Sequence, residues 1–181
     1  MPGDRPRITP QAVGAYGEKV VEAELLRHGW LPSNVNASIA NAAEFDIAAR
    51  KGDKHVSIRV KTAGPDMDAF QFGFPRGRAI VPATPLKDDF TVLVRMGSTT
   101  RADDLFYVMP TLPLREQIQA HKDYYLGHAK RDGSDHKDLG MWTLHLPPLK
   151  KGDSGYAYNY FEKWKQHLNN WACLETAPTS A

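Results

Sequence analysis

The sequence predicts a mixed β-sheet flanked by helices, in the α/β or α+β class. Three observations predict it. An amphipathic helical pattern runs from Thr9 to about His28. Two alternating runs between Glu44 and Thr62 flank a polar turn. Two apolar, β-branched and aromatic runs, Phe90 to Met96 and Leu105 to Met109, are followed by a second helical pattern.

The first helix has a legible start and stop. Thr9 offers a hydroxyl cap, Pro10 fits the first helical position, and Gly29 suits the exit. Val13, Gly17, Val20, Val21 and Leu25 recur at helical spacing and form the predicted core stripe. Glu18 lies beside that stripe, where the ordinary reading is a boundary carboxylate facing water. Glu24 falls near its middle, so either the helix end frays or Glu24 is paired.

Trp30 to Ala43 reads as a loop or a weak strand. In the first strand that follows, Phe45, Ile47 and Ala49 point one way and Glu44 and Asp46 the other, because side chains alternate along a strand. A turn with Gly52 and Asp53 leads to the second, where Val56, Ile58, Val60 and Thr62 share one face and Ser57, Arg59 and Lys61 the opposite one. With the apolar faces on one core, Glu44, Asp46, Arg59 and Lys61 converge on the other side. Charges on such a face are usually solvated and contribute little. An acid beside a lysine on adjacent strands is also a recurrent way to hold a divalent metal next to a phosphate.

Ala63 to Ala83 is rich in Gly, Pro and Phe, carries Arg76 and Arg78, and reads as an ordered active-site loop or a mobile excursion. Interleaved with Phe70, Phe72 and Phe74, these arginines match a basic–aromatic nucleic-acid surface; the alternative is phenylalanines in the core and solvated arginines. Phe90 to Met96 and Leu105 to Met109 read as buried central strands. A helix is predicted over Pro113 to Leu126, a polar loop over Gly127 to Leu139, and a short edge strand over Met141 to Leu146. A last helix is predicted over Asn159 to Trp171, with Phe161, Trp164, Leu168 and Trp171 on one face. His128, Asp132, Asp135, His136 and Asp138 resemble a metal cluster in composition, but their spacing fits no ligand pattern. Lys150 and Lys151 read as solubilising.

The chain has 181 residues, 41% hydrophobic and 24% charged, with a net charge of +2 and a pI of about 8.6. That is ordinary for one globular domain, and it permits nucleic-acid binding without arguing for it. The expected organisation is a flexible lead at 1–8, one domain over 9–175 and a frayed tail at 176–181. A single cysteine, Cys173, rules out an internal disulfide and fits a reducing compartment such as the cytoplasm. No apolar run approaches a membrane span, and the first residues lack the apolar stretch of a secretory signal. There is no phosphate loop, dinucleotide fingerprint or nucleophile elbow.

Three segments resemble the PD-(D/E)XK nuclease superfamily, which has the restriction-endonuclease-like fold. Gly17 to Gly29 is similar to the first helix of archaeal Holliday-junction resolvases and related uncharacterised nucleases. Glu-Phe-Asp-Ile, Glu44 to Ile47, resembles the aspartate strand. Ile-Arg-Val-Lys-Thr, Ile58 to Thr62, resembles the strand bearing the E-x-K motif. The resemblance implies a metal-dependent DNA endonuclease that hydrolyses phosphodiester bonds with Mg²⁺ or Mn²⁺, and it makes a homodimer an expectation. It implies Glu18 as the helix acid, Asp46 as the metal-binding aspartate, Lys61 as the lysine that orients or activates water, and the Val60 carbonyl as a further ligand.

The departure is Arg59, which stands where the family has its second acid. A guanidinium cannot bind a cation. It is expected to pair with Asp46 and lower metal affinity. Three outcomes stay open: Glu44 supplies the missing carboxylate; Glu18 and Asp46 alone hold one weak ion; or the site is inactive and Arg59 with Lys61 presents positive charge to a phosphate or a partner. In the last case the chain is a nuclease-fold module that binds nucleic acid or a protein without cleaving it.

Overall fold

The computed structural model describes residues 8–35, 45–67, 69–98, 100–145 and 164–176. Helix α1 spans Pro10–Arg27, with Thr9 Oγ1 accepting from the Ala12 N–H at 3.2 Å and Gly29 leaving the helix at φ +80°. Strands β1 (Leu31–Asn34), β2 (Ile47–Lys51) and β3 (Lys54–Ala63) follow, then β4 (Ala69–Gly73), β5 (Phe90–Arg95) and β6 (Leu105–Pro110). Helix α2 covers Thr111–Gly127 and β7 covers Met141–His145. Five strands form one mixed sheet in the order β1-β2-β3-β5-β6, in which only the β3–β5 pair is parallel. The predicted class is therefore the observed one, a mixed sheet between helical layers.

Alternation along the strands builds two cores. Ile47, Val56, Ile58, Val92, Val94, Phe106 and Val108 meet Val20, Val21 and Leu25 of α1 on one face. All five residues of the predicted α1 stripe are buried. On the other face Leu93, Tyr107 and Met109 meet Leu114 and Ile118 of α2 together with Phe70, Phe72, Trp142 and Leu144. Strand β5 supplies side chains to both cores and reads as a continuous apolar run for that reason.

Several expectations need correction. The Gly- and Phe-rich segment after β3 contains β4, which pairs with β7 in a separate two-stranded sheet. Strand β6 is outermost in the main sheet rather than central. It is nonetheless buried, because the chain near the C-terminus covers its free edge: Leu168 bridges Tyr107, and the Asn169 N–H donates to the Phe106 carbonyl at 2.7 Å. That covering segment is not the continuous helix predicted to reach Trp171. Short 3₁₀ turns at Lys165–His167 and Trp171–Thr176 are separated at Asn169, whose φ of +52° breaks any helix. Residues 1–7 of the lead expected over 1–8, residues 177–181 of the tail expected over 176–181, and Glu44, Lys150, Lys151 and Phe161 lie outside the described residues. Among the described residues no helix is long and apolar enough to cross a membrane.

Candidate functional site

The β2–β3 hairpin turns at Gly52, where φ is +58°, and its register pairs Ile47 with Ile58. Just before β2, the ladder continues through Asp46. Its N–H donates to the Ile58 carbonyl at 2.9 Å, and its own carbonyl accepts from the Val35 N–H at 3.0 Å. Its carboxylate Oδ2 accepts from the Val60 N–H at 2.7 Å. The Asp46 side chain thus occupies the place a further β2 residue would take beside β3. It also comes to rest one residue from Lys61.

Glu18 reaches the same end of the sheet from α1. Gly17 packs so tightly on β3 that a Cβ there would lie 1.8 Å from Thr62 Oγ1, which fixes the next residue, Glu18, over that end. Asn34 Nδ2 donates to Glu18 Oε2 at 2.8 Å and to Glu22 Oε1 at 3.0 Å. Asn34 is itself in register with Ile47, next to Asp46. Glu18 is therefore held by an amide rather than left to water. Glu24, flagged in the sequence as paired or frayed, is paired with Arg27 at 3.3 Å and Arg101 at 3.0 Å.

Lys61 and Arg59 share a face, as their spacing predicts. Arg59 is in register with Thr91, and Lys61 with Leu93, whose side chain lies in the α2-side core. Glu18 comes from the helix on the other face. Asp46 thus comes from the residue before β2, Lys61 from the neighbouring β3 and Glu18 from α1, with the sheet between Glu18 and the Lys61 side chain.

The expected Arg59–Asp46 pair is replaced by another. Arg59 Nε lies 3.7 Å from Oδ2 of Asp88, and Arg115 Nη2 lies 3.5 Å from Asp88 Oδ1. The Asp88 side chain is only 3% exposed. Burial pushes its pKa up, against the pull of the Arg115 and Arg59 guanidiniums. These groups, with Lys61 and Thr91, line a cavity of about 70 Å³ under Phe72, Phe74 and α2. Arg115 also sits over the Phe74 ring, 5.8 Å from its centroid. Asp88 was invisible to local pattern reading because it meets Arg59 only through the parallel β3–β5 pairing.

The candidate basic–aromatic surface is divided. Phe70 and Phe72 are core residues, whereas Arg76 and Arg78 are exposed. Arg76 Nε donates to the Leu139 carbonyl at 3.3 Å, and the Arg78 carbonyl accepts from Lys122 Nζ at 2.8 Å. The His- and Asp-rich loop is a hydrogen-bonded turn system. Asp132 accepts from Ser134, Asp138 accepts from the Gly77 and Gly140 N–H groups, and His128 Nδ1 meets the Tyr124 carbonyl. Among the described residues no three His, Cys, Asp or Glu side chains form a metal-binding group.

No family model matches the chain. No curated protein matches it. Among solved structures it is similar to one described as a bacterial homing endonuclease, I-Ssp6803I, at 15% identity and a TM-score of 0.45, with 93% of this chain and 98% of that chain covered.

Proposed function

We propose that the protein acts on DNA as a metal-dependent endonuclease, with Asp46, Lys61 and Glu18 at its site and Arg59 attenuating it. The observation that carries this reading is the Asp46 carboxylate bound to the Val60 N–H at 2.7 Å, one residue from Lys61 on the neighbouring strand. The backbone that holds the Asp46 carboxylate is thus adjacent to Lys61, whose side chain lines a cavity with two arginines.

Asp46, with Glu18 and the Val60 carbonyl, would hold Mg²⁺ or Mn²⁺; Glu44 is the further acid proposed there. The ion supplies Lewis-acid polarisation of the phosphoryl group and a more acidic bound water. The protein's own groups do the rest. Lys61 offers an ammonium to the charge that develops on the phosphoryl oxygens. The Val60 N–H fixes the Asp46 carboxylate, so its orientation is set before substrate arrives. Arg59 adds positive charge where a second carboxylate would bind the ion, which weakens metal affinity.

A second reading is a nucleic-acid-binding module without cleavage. It is favoured by the ion pairs of Arg59 and Arg115 with Asp88, which commit the position of the second acid to a cationic cluster. The two readings part in one assay. Purified protein is incubated with Mg²⁺ or Mn²⁺ and duplex, single-stranded or branched DNA, beside Lys61→Ala and Asp46→Asn. Cleavage that disappears in both variants and with chelator supports the endonuclease. Folded protein that binds DNA and cleaves none of the three sinks it in favour of the module.

A further inference from the structure

We propose that the cavity formed by Arg59, Lys61 and Arg115 around Asp88 is a receptor for one phosphate group, the terminal monoester of a DNA end. Its position follows from the fold. Arg59 and Lys61 project from β3, Asp88 precedes β5, and Arg115 comes from the first turns of α2. Elements distant in sequence thus direct polar groups into one space.

The charge balance favours an anion. Three cationic side chains line the cavity with a single carboxylate, leaving two positive charges unmatched. A phosphate monoester carries close to two negative charges at neutral pH, whereas an internal phosphodiester carries one. The volume, about 70 Å³, has room for one tetrahedral oxyanion or a few waters.

Unsatisfied groups make the case independently of charge. Arg59 Nε and Asp88 Oδ2 are both buried and have no hydrogen-bond partner; at 3.7 Å they attract each other without a bond. A buried N–H left without an acceptor is costly, and a phosphate oxygen would satisfy it. Arg115 is already fixed between Asp88 and the face of Phe74, so little side-chain freedom remains to be lost when an anion enters. Asp88 orients both guanidiniums.

The phosphate assignment stands on the cavity alone; naming a DNA end as its source rests on the function proposed above. Equilibrium dialysis with radiolabelled inorganic phosphate tests the first. Saturable uptake is expected, weakened about tenfold or more in Arg115→Gln and in Arg59→Gln, since each removes a charge-assisted contact. Both side chains are partly exposed, so the variants are expected to fold, which circular dichroism checks. No saturable uptake by the wild type, or uptake unchanged in both variants, overturns the receptor. Fluorescent oligonucleotides with a 5′-phosphate or a 5′-hydroxyl test the second. Preference for the phosphorylated end, lost in the same variants, supports the terminal assignment; equal binding overturns it. Retained phosphate uptake in a protein that binds no DNA would refute the DNA reading and leave the receptor standing.

Discussion

Gly17 and Thr62 form the tightest seam between helix and sheet at the candidate site. A Cβ at position 17 would lie 1.8 Å from Thr62 Oγ1, 3.0 Å from its Cβ and 3.2 Å from its Cγ2. Rotating the threonine does not clear the space, because its Cβ and both branches crowd the same point. The seam fixes the height of α1 over β3, and with it the distance of Glu18 from the Asp46 end of the sheet.

Gly17→Ala is therefore expected to destabilise the fold despite alanine's better helix propensity. Overpacking of this kind costs about 1–3 kcal/mol, more than the gain of up to about 1 kcal/mol from replacing a helical glycine. Urea unfolding monitored by circular dichroism measures the difference. Adding Thr62→Ala removes two of the three crowding atoms and should restore much of the loss. A Gly17→Ala protein as stable as wild type would show that the helix can lift without penalty.

Arg59→Glu would install the acid that the resembling nucleases carry, yet the surroundings of Arg59 oppose it. The new carboxylate would stand beside Asp88, whose side chain is 3% exposed and whose proton affinity burial already raises. Two facing carboxylates raise each other's pKa. Groups with raised folded pKa values stabilise below those values and lose that stability as pH rises through them. The variant should lose more than about 1 kcal/mol at pH 8, and less at pH 5. Thermal melts at the two pH values test this. Added Mg²⁺ should recover part of the loss at pH 8 if the new carboxylate forms a metal site with Asp46. Equal losses at both pH values would mean that Asp88 does not face position 59 in solution.

Much of the fold was legible because it is written locally. Pro10 and Gly29 bracket α1, a 3.6-residue repeat marks its buried face, and Gly52 marks the β2–β3 turn. The pieces that sequence reasoning missed depend on contacts between distant segments. Strand β4 is five residues long, with Ala, Gln and Gly alternating with its two phenylalanines, and only its pairing with β7 makes it a strand. The C-terminal aromatics show the limit of periodicity. Trp164 and Trp171 sit at helix-compatible spacing, yet Trp164 is buried in the α2-side core and Trp171 in the α1-side core. The chain crosses the edge of β6 between them, so two tryptophans that resemble one helix face serve opposite faces of the sheet. At the candidate site the motif residues were readable one by one. The Arg59–Asp88–Arg115 cluster was not, because it is assembled by a parallel strand pair and a helix.

Lys122 is a tether between α2 and the chain around Arg78 and Asp138. Its side chain is 7% exposed, and Nζ donates to the Arg78 carbonyl at 2.8 Å and to Asp138 Oδ2 at 2.6 Å. The bond from Lys122, with those from the Gly77 and Gly140 N–H groups, holds the Asp138 pKa down to about 2. Lys122→Met keeps the aliphatic stem but leaves these acceptors unmatched, so a loss of about 2–3 kcal/mol is expected at pH 7. A depressed carboxylate pKa gives stability that is complete above the ordinary carboxylate range and is lost as pH falls toward about 2. The gap between wild type and variant should therefore narrow in acid. Chemical denaturation at pH 7 and pH 3 checks both signs, and a gap that widens in acid would contradict the assignment.

Cys173 should be chemically quiet in the folded protein. It lies beside the α1-side core with Sγ 3.6 Å from the Val108 carbonyl, and burial pushes its thiol up to about 11. The thiolate is the reactive form, so at pH 8 only a very small fraction is available to an alkylating reagent. Its modification is then gated by release of the 171–176 turn from β6. Labelling by iodoacetamide, followed by mass spectrometry, is expected to be slow in buffer and to accelerate steeply through the urea unfolding transition. Substitutions that loosen the covering segment, such as Trp171→Ala, should speed labelling without denaturant, because Trp171 anchors that turn against Phe106 and His28. Rapid labelling of the native wild type would mean that this segment leaves the edge of β6 readily, and that the edge is open to another strand.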